Sequence, residues 1–79
     1  MSAVKRDIAE LLEQALLEHP DAEMDIEVIE VLHVTTRLSC KPEQEEDLRN
    51  ALYDQELLLM EHLPNTSFDF STVVTTKKD

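Results

Sequence analysis

Apolar side chains recur every three or four positions in two stretches of this chain and every second position in two others, and the change of period marks out its elements. Val4, Ile8, Leu11, Leu12 and Ala15 share one helical face, with Lys5, Asp7, Glu10, Glu13 and Gln14 mostly on the other. This spacing predicts a helix over 3–18, capped by Ser2 and stopped by Pro20, which disfavours the α conformation at His19. A second helix is predicted from Pro42 to the residues before Pro64. Proline suits a first helical position, and Glu43, Glu45, Glu46 and Asp47 put negative charge in the opening turns, where the dipole favours it. Leu48, Ala51, Leu52, Gln55, Leu58, Leu59 and Leu63 form a broad face directed at a core. Tyr53, Leu57 and Met60 fall on the far side of the same helix as a second apolar stripe.

The stretch MDIEVIEVLHVTTRLSC, residues 24–40, has no glycine, proline or asparagine to turn it. It could be one long strand, two strands with a concealed bend, or a helix. A helix would stack many β-branched residues that lose rotamer freedom there. As a strand, Met24, Ile26, Val28, Leu32, Val34, Leu38 and Cys40 share one parity, while Ile29 and Val31 intrude on the other. A straight strand of this length spans ~56 Å at ~3.3 Å per residue, far more than a compact domain with a radius of gyration of ~12 Å can hold. The favoured expectation is a single strand bent by a bulge near Val28 to Val31, its exposed part pairing with another subunit. Ser67 to Thr76 alternates again, with Phe68, Phe70, Thr72 and Val74 on one side, and predicts a second strand; residues 77–79 read as a disordered tail.

The element order helix, strand, helix, strand predicts a single α+β domain over residues 1–79, with both helices on one face of a small sheet and the sheet completed by dimerisation. A strand–helix–strand unit over 34–76 would make a right-handed crossover if its strands are parallel. Composition then narrows the function. Seven Lys and Arg against 18 Asp and Glu give a formal charge of -11, which repels nucleic-acid phosphates and anionic lipid heads, so no nucleic acid or membrane partner is expected. With 79 residues the core is modest, and self-association would help it. One cysteine, Cys40, makes no internal disulfide, no leader pattern precedes the first helix, and a cytoplasmic location is expected.

Chemistry-bearing residues are sparse. The absence of glycine removes phosphate-cradling loops, and His19, His33 and His62 lack the paired spacing of metal ligands, so neither cofactor nor metal is expected. Glu27, His33 and Arg37 share a strand parity and could hold a small anion or metal, or form a solvent-side polar row, which is the commoner outcome. Cys40 follows the core parity and reads as buried and inert. Catalysis needs convergent groups in a pocket, and none is legible here. The expected function is a non-enzymatic, homodimeric protein–protein interaction module with an acidic surface suited to a basic partner, using Tyr53, Leu57, Met60, Ile29 and Val31 at its interface. The alternative is a sensor domain binding a small anion or metal near Glu27, His33 and Arg37.

Overall fold

The structure is a computed structural model that describes residues 3–77. The proposed cap at Ser2 and the tail residues Lys78 and Asp79 lie outside the described residues. Helix α1 (Ala3–Glu13) tightens into a 3-10 turn at Gln14–Leu16, ending four residues before Pro20, which would clash with a continuing helix. Strands β1 (Glu23–Glu30) and β2 (His33–Cys40) follow, then a 3-10 turn at Pro42–Gln44, helix α2 (Glu45–His62) and strand β3 (Asp69–Thr76). At the entrance to α2, the Lys41 N–H donates to Gln44 Oε1 at 3.0 Å, and Arg49 donates to Glu45 at 3.0 Å one turn along.

The three strands form one sheet in the order β1-β2-β3, with β1 antiparallel and β3 parallel to the central β2. This is an α+β fold with two helices packed on a small mixed sheet. Even-numbered residues of each strand face the helices. Val34, Leu38 and Cys40 are buried there, with Met24, Ile26, Val28, Phe70 and Val74 half-buried around them. Ile8 and Leu12 from α1 and Ala15 from the 3-10 turn meet Leu52 and Leu59 from α2 over Val34, and Ala22, Leu38, Cys40 and Leu48 close the other end.

Residues 24–40 are not one bent strand but a hairpin. Val31 and Leu32 make a two-residue turn, and the register shifts between Val28 and Glu30, so that Ile29 is an extra, bulged residue. Two-residue hairpins usually take primed turns with positive φ, yet no described residue has positive φ. The bulge supplies the added twist instead. Lys5 Nζ donates to the Ile29 carbonyl at 2.6 Å, which satisfies a group the bulge takes out of the ladder. The premise that the strand is too long for a monomer therefore fails, because the chain turns back on itself within it.

Three further expectations change. Leu32, assigned to the core parity, sits in the turn and is exposed, and Leu58, assigned to the core face of α2, is 43% exposed. Lys77, expected in a free tail, donates its N–H to the Cys40 carbonyl at 2.7 Å and sets its ammonium 3.4 Å from Glu23.

Candidate functional site

The outer face of the sheet carries the polar row. Glu27 stands opposite Thr35, and Arg37 opposite Asp25, so Glu27 reaches Arg37 diagonally across the hairpin at 3.5 Å. His33 lies directly opposite Asp69 of β3, with Nδ1 3.4 Å from its carboxylate. The structure thus joins Glu27 to Arg37 but gives His33 a different partner. All four side chains are at least half exposed. Each basic group already faces a carboxylate, so the arrangement is that of cross-strand pairs on a solvated sheet, each a small contribution to stability. Among the described residues no three His, Cys, Asp or Glu side chains converge as metal ligands.

Cys40 is buried at the inner end of β2. Burial pushes its thiol pKa up and Glu45 adds to that, against weaker opposition from Arg49 and Lys77. The thiol is held neutral, away from the thiolate that nucleophilic chemistry needs. Glu56 is likewise raised by burial. Gln55 Oε1 is buried with no hydrogen-bond donor among the described residues.

Of the residues proposed as an interface, Tyr53, Leu57, Met60 and Ile29 are exposed, whereas Val31 folds in from the turn and packs against the core. Tyr53 borders a shallow crevice with Arg49, Leu52, Glu56 and Thr72, which places that side of α2 beside β3.

A larger concavity lies elsewhere, between the two helices. It is an open groove of about 470 Å³. Val4, Ile8, Leu11, Leu59 and Leu63 give it an apolar floor, and Asp7, Glu10, Gln14 and His62 its polar border. Helix α1 supplies this because Val4, Ile8 and Leu11 recur along one face, with Asp7, Glu10 and Gln14 one turn apart at its margin. The sequence places Val4, Ile8 and Leu11 on one apolar helical face. The amphipathic stripe was visible, but the point where α2 diverges and leaves Val4 44% exposed was not. Among the described residues no helix is long and apolar enough to cross a membrane. No family model, no curated protein and no solved structure matches this chain.

Proposed function

We propose that this protein is a non-enzymatic, cytoplasmic protein–protein interaction module that self-associates and takes a basic amphipathic segment of a partner into the groove between α1 and α2. The groove carries this reading: an apolar floor bordered by Asp7 and Glu10, on a chain of formal charge -11. An amphipathic helix lays its apolar stripe into such a groove while its lysines or arginines meet the acidic border, and the overall field speeds the encounter. The exposed polar row at Glu27, His33 and Arg37 offers less for an anion, since Arg37 and His33 already face carboxylates.

The test is a fluorescence anisotropy titration with a synthetic amphipathic peptide, leucines on one face and lysines on the other, against a peptide of equal charge with no apolar face. The amphipathic peptide should bind more tightly, and Glu10→Lys and Val4→Asp, both at exposed positions, should each weaken it by roughly tenfold, or about 1.4 kcal/mol. Equal affinity for both peptides, or variants that bind like wild type, would sink the groove reading.

A further inference from the structure

β3 is an edge strand with an unguarded free side. Among the described residues it pairs only with β2, in unbroken register from Asp69 to Thr76. Edge strands are commonly blunted by charge, proline or a bulge. From Phe70 to Thr76 the sequence is FSTVVTT, without any charge or proline. The opposite edge, β1, is defended: Glu23, Asp25, Glu27 and Glu30 lie along it and Ile29 bulges. Two copies of β1 side by side would set carboxylate against carboxylate.

The backbone of β3 tells which groups are free. Asp69 N–H donates to the Leu32 carbonyl at 2.6 Å and Lys77 N–H to the Cys40 carbonyl at 2.7 Å, so odd-numbered residues direct their backbone groups toward β2. By alternation, Phe70, Thr72, Val74 and Thr76 direct theirs outward. We infer that a second copy of this chain pairs along this edge, β3 antiparallel to β3, about a two-fold axis at Val73. The inference specifies the self-association included in the reading above.

The register follows from symmetry and charge. A two-fold axis perpendicular to the sheet keeps each residue on its own face, and directly opposed residues of an antiparallel pair share a face. The axis must therefore pass through a residue, not between two. Centred on Val73, Phe70 opposes the partner's Thr76 and Thr72 opposes the partner's Val74, so every outward residue is engaged in a ladder of about eight backbone hydrogen bonds. Asp69, which lies 3.4 Å from His33, and Lys77, which lies 3.4 Å from Glu23, are then brought opposite each other at both ends, so that each gains a second, oppositely charged neighbour. Val73, 51% exposed in the monomer, packs against its own symmetry mate. Centring on Thr72 instead sets Thr76 against Phe68, outside the strand, and leaves Asp69 facing an uncharged Thr75.

The helical layer agrees with this pairing. Arg49, Tyr53 and Glu56 already border Thr72 on this side of the sheet, and Met60 follows Glu56 by one turn. The axis at Val73 keeps both helical layers on one face and brings the two α2 flanks toward each other. Tyr53 and Met60, exposed at 58% and 38%, border that junction.

Sedimentation equilibrium and oxidative cross-linking of the full chain test the pairing. Val73→Cys puts two thiols at a non-hydrogen-bonded pair whose Cα atoms are about 4.5 Å apart, within disulfide reach, while Cys40 stays buried. This variant should link readily. Ser71→Cys and Thr75→Cys, exposed on the same face, should each link alone roughly tenfold more slowly, yet link to one another when mixed. Val73→Lys should sediment as a monomer with unchanged circular dichroism. A wild type monomeric at high micromolar concentration overturns self-association and the pairing together. A wild-type dimer in which Val73→Cys links no faster than Ser71→Cys overturns the pairing alone.

Discussion

Glu56 sits on the flank of α2 where burial raises its carboxyl above the ordinary glutamate range. The folded state therefore holds this proton more tightly than the unfolded chain does. The stability this adds is fully present below about pH 4.3 and is lost as pH rises through the elevated folded value. Glu56→Gln should raise the Tm at pH 7, and its advantage over wild type should vanish near pH 4. Thermal scans of wild type and Glu56→Gln from pH 4 to 8 compare the two. Residue environments of this kind were only partly legible. The exposure of Tyr53, Leu57 and Met60 followed from their helical angle, and the burial of Cys40 from strand parity. The desolvation of Glu56 did not, because it depends on β3 lying beside α2.

At the scale of elements, Ile29 explains both why the hairpin was concealed and what holds it in register. A two-residue turn pairing Glu30 with His33 would, if continued, set the inward Val28 against the outward Thr35. The apolar positions would then have to change from even to odd across the turn. The extra residue at Ile29 cancels that change, so Val28 opposes Val34 and the apolar positions stay even on both strands. The alternation consequently runs through the turn as if no turn were there. Only the adjacent pairs Val28-Ile29 and Val31-Leu32 betrayed it, and they coincide with the bulge and the turn. Helices and β3 were legible because prolines and a change of period bound them. Deletion of Ile29, an exposed residue, should cost several kcal/mol, a large part of the stability of so small a domain, because the register of β1 must slip or the turn must reopen. Ile29→Ala, which keeps the count, should stay within about 0.5 kcal/mol if its side chain is merely solvated. Urea unfolding of both variants distinguishes the backbone effect from the side-chain effect.

Over the whole molecule, the charge of -11 is carried on a body of 41 × 21 × 18 Å, small enough that an approaching cation meets the summed field. Association with the amphipathic lysine peptide should therefore slow steeply from low to physiological salt, chiefly through the association rate. Stopped-flow traces that ignore ionic strength would count against electrostatic recruitment. The strand order also dictates the sequence of events by which the chain is assembled. The hairpin closes across two residues, an event of roughly 1–10 μs. β3 must close a loop of 36 residues to join β2, since Asp69 lies that far beyond its partner His33, so this pairing is expected to form later than the hairpin. One side of the central strand consequently waits, with its amides and carbonyls unmatched, for the slowest contact to form. A β3 from a neighbouring chain fits that vacancy as well as the native one, so at high concentration refolding should pass through strand-exchanged species that a dilute solution never accumulates.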